Sequence, residues 1–229
     1  HELVKKIKVK TDLEPAAHLT CVGSSIEEIE EIATNYWNDG IKHIVALRGD
    51  LPDISSKHRE IKYATDLIKV LKKNNDFQIS VSAYPEGHPE SKNLEENFDT
   101  LKKKIDLGAT KAITQFFFDN KVFLDFLENA RKRNINIPII PGILPVSNCK
   151  KTLEFCSSMN CKVPNWIKET FVGLDSDPET RKLVAATIAS EQCKGLLDEG
   201  INEFHFYTLN RTDLSFAICH ILGVRSLKD

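Results

Sequence analysis

The chain has 229 residues, 41% of them hydrophobic and 28% charged, with 31 basic against 33 acidic side chains and a formal net charge of −2. That length supports one sizeable core, and the balanced charge offers neither a basic face for nucleic acid nor an acidic disordered tail. The longest apolar runs, such as 137–146, are too short for a bilayer and are interrupted by proline, and no charged segment leading into an apolar one opens the chain as a secretion signal would.

Glu2–Lys10 reads as the tail of a helix. Ala16–Val22 is a short apolar run, followed by Ser24-Ser25 and an acidic first turn. Ser25 and Glu28 make a capping box, which satisfies free N–H groups at a helix start. Ile26, Ile29, Ala33, Tyr36 and Trp37 recur at helical spacing until Gly40 stops the helix. The strand His43–Leu47 runs into Arg48-Gly49-Asp50; after a polar loop, Tyr63–Lys73 is amphipathic through Leu67, Ile68 and Leu71. Gln78–Tyr84 is a strand, Leu94–Leu107 a helix closed by Gly108, and Ala112–Phe117 a strand. Val122–Arg133 is a helix with Phe123, Phe126, Leu127 and Ala130 in register. Pro138–Leu144 is the next strand, followed by helical stretches over 147–157 and 165–199, the second broken at Gly173–Pro178. Glu203–Leu209 is the last strand and Leu214–Leu222 the closing helix.

Short buried strands alternating with helices of 10–15 residues imply βαβ units and a parallel sheet. Six strands are counted, and their C-terminal ends carry His18 and Thr20, Arg48 and Asp50, Tyr84, Thr114 and Gln115, and Asn210 with Arg211. In barrels, chemistry sits on that face. An open doubly wound sheet would call for a glycine-rich turn after a strand, and no G-x-G-x-x-G is present. The expected fold is therefore α/β, of the (β/α)8 TIM-barrel type with about six of the eight units, forming one partial barrel domain over 1–229. The cysteines (Cys21, Cys149, Cys156, Cys161, Cys193, Cys219) form no C-x-x-C pair and have no histidine spacing for zinc, so free, mostly buried thiols in a reducing cytoplasm and no metal are expected.

Read together, HLTC (18–21), YWNDGIKHIVALRGD (36–50), SAYPEGHPE (82–90), AITQFFFD (112–119), IIPGILPVSN (139–148), ETRKLV (179–184) and FHFYTLNR (204–211) resemble the bacterial methylenetetrahydrofolate reductases, in one order along nearly the whole chain. The resemblance implies a barrel holding FAD that reduces 5,10-methylenetetrahydrofolate to 5-methyltetrahydrofolate by a ping-pong route, with NADH as co-substrate, in a cytoplasmic homo-oligomer that binds neither membrane nor nucleic acid. It also implies that two β/α units of the family lie upstream of His1. One of them carries the general-acid glutamate that protonates the folate, so that role falls to no residue here and this chain alone is expected not to turn over folate.

The resemblance assigns roles residue by residue. Asp50 is the catalytic carboxylate near the flavin pyrimidine and the pterin, where a negative charge favours hydride donation to folate. His18, Arg48, Gly49, Tyr63, Ala64, Tyr84 and His88 contact FAD, with Asn97, Lys103 and Lys104 toward its diphosphate and adenosine ends. Relatives carry a carboxylate at the place of Asn97 and an arginine at that of Lys103. Gln115 hydrogen-bonds the pterin or the nicotinamide carboxamide, Phe155 stacks on either ligand, Arg211 contacts folate, and Lys151, in place of a glutamine, pairs with the folate glutamate tail. Two other readings stay open: a non-catalytic flavin-binding barrel, and a cofactor-free barrel lyase. The lyase would want a Schiff-base lysine within a strand or a glycine-rich phosphate loop, and the only lysine near a strand start is Lys111.

Overall fold

The computed structural model describes residues 1–49, 60–146 and 148–225, except the side chain of Asn74. Along the chain it comprises α1 (Glu2–Lys10), β1 (Ala16–Thr20), α2 (Ile26–Asn38), β2 (His43–Leu47), α3 (Ala64–Asn74), β3 (Gln78–Ala83), α4 (Leu94–Asp106), β4 (Lys111–Phe116), α5 (Asn120–Lys132), β5 (Ile139–Ile143), α6 (Cys149–Ser158), α7 (Asn165–Thr170), α8 (Pro178–Asp198), β6 (His205–Phe206) and α9 (Thr212–Ile221). The strands form one sheet in the order β1-β2-β3-β4-β5-β6. β1 pairs with β2, β2 with β3 and β5 with β6, all parallel, and the sheet order keeps each strand beside its sequence neighbour, across one helix or, between β5 and β6, three. This is the α/β architecture of the TIM-barrel type expected from the alternation.

Local chemistry fixes the helix starts. The Glu28 N–H donates to Ser25 Oγ at 3.2 Å and the Ser25 N–H to the Glu28 carboxylate at 2.9 Å, completing the capping box. At α8, Asp177 accepts the Thr180 N–H at 3.0 Å and Pro178 opens the first turn, where its missing N–H is no loss.

The chain divides into two compact units, His1–Ala83 with Phe98–Ile113, and Tyr84–Asn97 with Thr114–Asp229. In the first unit, Ile29, Ile41, Ile44, Leu67, Ile68, Leu71, Phe77 and Ile79 are fully buried, and Trp37 meets Phe77 edge to face at 5.1 Å. Each such side chain removed from water contributes about 1.5–3 kcal/mol before the entropy of ordering it. In the second unit Phe116, Phe117 and Phe123 are fully buried. There α8 approaches the start of α5 through small residues: a β-carbon on Gly195 would stand 2.8 Å from Asn120 Nδ2, which donates to the Gln192 carbonyl at 2.9 Å.

Most element boundaries agree with the sequence reading to within two residues. The last strand is the exception: 203–209 was expected, and only His205–Phe206 pairs, opposite Gly142 and Ile143. Beyond it the Tyr207 N–H still donates to the Ile143 carbonyl at 2.9 Å, and then Leu209 (φ 48°) and Asn210 (φ 59°) turn left-handed, a conformation no strand can continue.

Candidate active site at the strand ends

In the first unit, β1 alternates Ala17 and Leu19 into the core with Ala16, His18 and Thr20 on the opposite, exposed face. The sequence default for a histidine on an apolar strand is a satisfied core residue; here the ring is exposed. Protein around it still removes enough water to lower the imidazole pKa, so His18 is neutral at pH 7. In register with β2, His18 lies beside Val45 and Thr20 beside Leu47. Just beyond, the Arg48 carbonyl accepts the N–H groups of Cys21 and Val22 at 3.2 and 3.0 Å, tying the two strand ends together. Gly49 has φ +86°, and a β-carbon there would lie 3.0 Å from Thr20 Cβ, so both conformation and space demand glycine. Asp50 lies outside the described residues.

Tyr63 and Ala64 open α3. The Asp66 carboxylate reaches back to the N–H groups of Lys62 and Tyr63 at 3.3 and 3.2 Å, which leaves the Tyr63 ring exposed while Ala64 is buried. The lysine pair on α4 separates by environment. Lys103 is exposed. Lys104 is buried, its ammonium donating to the Ser82 carbonyl at 3.0 Å and to Ser82 Oγ at 3.3 Å, and burial brings its pKa down to about 8. Of the two cations expected for phosphate, Lys104 is thus engaged at the end of β3, and Lys103 is the one that faces water.

In the second unit the residues after β3 form a braced loop. The Tyr84 and His88 rings meet edge to face at 4.6 Å. Asn97, 8% exposed, donates from Nδ2 to the Tyr84 carbonyl at 2.8 Å and accepts the His88 N–H at 3.4 Å. The Glu90 N–H donates to His88 Nδ1 at 3.1 Å, which makes that nitrogen the acceptor and puts the proton of a neutral ring on Nε2. Gln115 lies on the less buried face of β4, alternating with buried Thr114 and Phe116, and its Oε1 accepts the Phe116 N–H at 3.3 Å.

Thr114 Oγ1 accepts the Gly142 N–H at 2.9 Å, and Tyr207 Oη donates to the Thr114 carbonyl at 3.0 Å, so the phenol of the last strand end spans β5. Gly142 permits this: a β-carbon there would collide with the Thr114 carbonyl and stand 2.7 Å from the Tyr207 ring. Burial, with Tyr84 nearby, pushes the Tyr207 phenol well above its ordinary pKa, so it stays a donor. Phe155 on α6 leans on Phe116 at 5.4 Å with part of its surface exposed, and Lys151 is exposed one turn earlier on the same helix. Arg211 is exposed at the start of α9, directly after the left-handed Leu209-Asn210 pair, its N–H held by the Thr208 carbonyl at 2.8 Å.

Sequence reasoning assigned no role to Tyr207; an aromatic in a strand reads as core, and its hydroxyl only acquires meaning from Gly142 opposite. Among the described residues no cluster of His, Cys, Asp or Glu could hold a metal, and no helix is long and apolar enough to cross a membrane.

His18, expected at a strand end, lies in the middle of β1, while arginine, tyrosine and glutamine do stand at the ends of β2, β3 and β4; such alternating β/α units define the α/β-barrel type of fold. The sequence pattern of methylenetetrahydrofolate reductase matches residues 1–223, and the chain belongs to that family. It is 54% identical to the 5,10-methylenetetrahydrofolate reductase of Pectobacterium carotovorum subsp. carotovorum and 52% identical to that of Escherichia coli K12, in each case over 98% of this chain and 75% of the relative. "Methylenetetrahydrofolate reductase (NADH) 1" of Arabidopsis thaliana is 32% identical over 97% of this chain and 40% of its own length. A solved Clostridium thermocellum protein, described as binding two copies of 5-methyl-5,6,7,8-tetrahydrofolic acid, shares the fold with a TM-score of 0.58 at 18% identity, covering 96% of this chain and 76% of that one. The family's reaction, reduction of 5,10-methylenetetrahydrofolate, is the chemistry to which this chain belongs.

Proposed function

We propose that the chain supplies the cofactor and substrate site for this reduction, with FAD as the cofactor and NADH as the hydride source, the two substrates taking turns in a ping-pong cycle. The observation that carries the reading is the loop after β3, where buried Asn97 braces the Tyr84–His88 pair through the protein's own hydrogen bonds. The chemistry FAD supplies when bound is hydride transfer, from NADH and to the folate.

The residues divide the remaining work. Neutral His18 offers a hydrogen bond without adding charge, and Arg48 and Lys103 supply the cations that flavin oxygens and phosphates require. Gly49 lets backbone approach closely, with Tyr63, Ala64, Tyr84, His88, Asn97 and Lys104 completing the contacts; Lys104 acts through the end of β3. Asp50 places a negative charge that favours hydride donation. Gln115 presents one amide to either the pterin or the nicotinamide carboxamide, which suits substrates that bind in turn. Phe155 keeps ring surface for stacking while Phe116 fixes its angle. Arg211 and Lys151, both exposed, bind the folate and its glutamate tail. Cytoplasmic location and a homo-oligomeric state complete the proposal.

The test is a titration of the purified chain with FAD, read by quenching of flavin fluorescence. Saturable binding that His18→Ala and Tyr84→Ala each weaken several-fold, with unchanged circular dichroism, is the expected result. Binding that neither substitution touches would sink the assignment.

A further inference from the structure

At the end of α6 the chain doubles back through Asn160, which has φ 53°, and the N–H groups of Met159 and Cys161 both donate to the Cys156 carbonyl, at 3.1 and 3.0 Å. This tight turn sets two cysteines with four residues between them side by side. Both are buried, and the turn closed by the bond from the Cys161 N–H to the Cys156 carbonyl brings the side chains at its two ends together. Cys161 Sγ donates to the Phe116 carbonyl at 3.4 Å.

The same turn holds the loop that carries Tyr84 and His88. Asn160 Nδ2 donates to the carbonyls of Glu86 and Gly87 at 2.9 and 3.2 Å, and the Lys162 N–H donates to the Glu86 carboxylate at 3.1 Å. Cys156, Cys161 and the loop brace are one connected network.

We propose that Cys156 and Cys161 are a redox-active thiol pair that closes into a reversible disulfide and, in closing, loosens the Tyr84–His88 loop. With a peroxide as oxidant, the Cys156 thiolate attacks one oxygen, the O–O bond breaks, and the sulfur becomes a sulfenic acid while one water leaves. The Cys161 sulfur then attacks the Cys156 sulfur, the S–S bond forms, and the departing hydroxide takes the Cys161 proton as a second water. Two thiols have lost two electrons and two protons, and the peroxide has become two waters; thiol exchange with an external dithiol reverses the change. The direction of attack follows from the Cys161 S–H, which is held on the Phe116 carbonyl and so leaves Cys156 as the attacking thiol. Once oxidised, Cys161 has no S–H, so the Phe116 carbonyl loses its donor. The S–S bond also redraws the turn in which Asn160 holds the Glu86 and Gly87 carbonyls, and the loop it anchors opens. That this would weaken a bound flavin rests on the function proposed above; the pair and its effect on the loop do not.

Both readouts therefore use the full chain without flavin. After treatment with diamide, a diazene that removes the same two hydrogens and spares Met159, the chain is alkylated and digested with trypsin. Residues 152–162 form one tryptic peptide holding both cysteines. The peptide is expected unalkylated and about 2 Da lighter, restored by dithiothreitol, and no longer protected when Cys161→Ser is present. Amide exchange across 84–91 should run at least about threefold faster in the oxidised chain. Full alkylation of both cysteines after diamide, or disulfides formed among the other four, overturns the pair; unchanged exchange in a chain shown to carry the disulfide overturns the coupling.

Discussion

Replacing Asn97 with aspartate exchanges an NH2 group for an oxygen where a buried side chain both donates and accepts. The Tyr84 carbonyl loses its 2.8 Å donor, while the His88 N–H keeps an acceptor. An orphaned buried carbonyl costs about 1–3 kcal/mol. An ionised carboxylate facing that carbonyl at 8% exposure adds desolvation, for a total of about 2–4 kcal/mol at neutral pH. At about 2–4 °C per kcal/mol, the melting temperature should fall by roughly 4–16 °C. The sign with pH is fixed: burial raises the folded pKa of the new carboxyl above its unfolded value near 4, and the protonated acid can donate as the amide did. The variant should therefore approach the parent at pH 4.5 and fall away as pH rises to 7.5. Thermal unfolding of both proteins by circular dichroism at the two pH values decides it. Equal melting temperatures at pH 7.5, or the same loss at both pH values, would refute the bracing role of Asn97.

Gly142→Ala should destabilise by about 1–3 kcal/mol or prevent folding, because the added carbon collides with the Thr114 carbonyl and the Tyr207 ring; urea unfolding measures it. Tyr207→Phe removes only the O–H that reaches Thr114 at 3.0 Å, so a loss near 1 kcal/mol is expected in the same assay. Lys104 gives a pH signature. The unfolded lysine holds its proton to about 10.5 and the folded one only to about 8, so stability should rise between those values, by up to about 3 kcal/mol. Lys104→Met should abolish the rise, and parallel pH profiles of parent and variant would contradict the buried ammonium.

Much of the fold was legible because its signals are local. Ser25 with Glu28, Gly40 and Gly108 each act within a turn of the residues they govern, and the boundaries followed. The β6 end was not, since 203–209 alternates like a strand, and the left-handed Leu209-Asn210 pair that turns the chain away carries no periodic signal. Among site residues, Gly49 stood out by its place after a buried run and His18 as a histidine on an apolar strand. Lys104 was named with Lys103 for phosphate, but its burial was not legible: a lysine pair on a helix reads as a solvated face, and only tertiary packing shows that one of the two is buried on Ser82. Asn97 and Tyr207 act through backbone carbonyls distant in sequence, for which no periodic pattern exists.

The proposed reduction of bound flavin by NADH is tested most directly by the visible spectrum of the FAD-loaded chain before and after NADH is added without oxygen. Bound-flavin absorbance that bleaches on addition of NADH is the expected result. Folded protein that takes up no added FAD, or bound flavin that NADH leaves coloured, would contradict it.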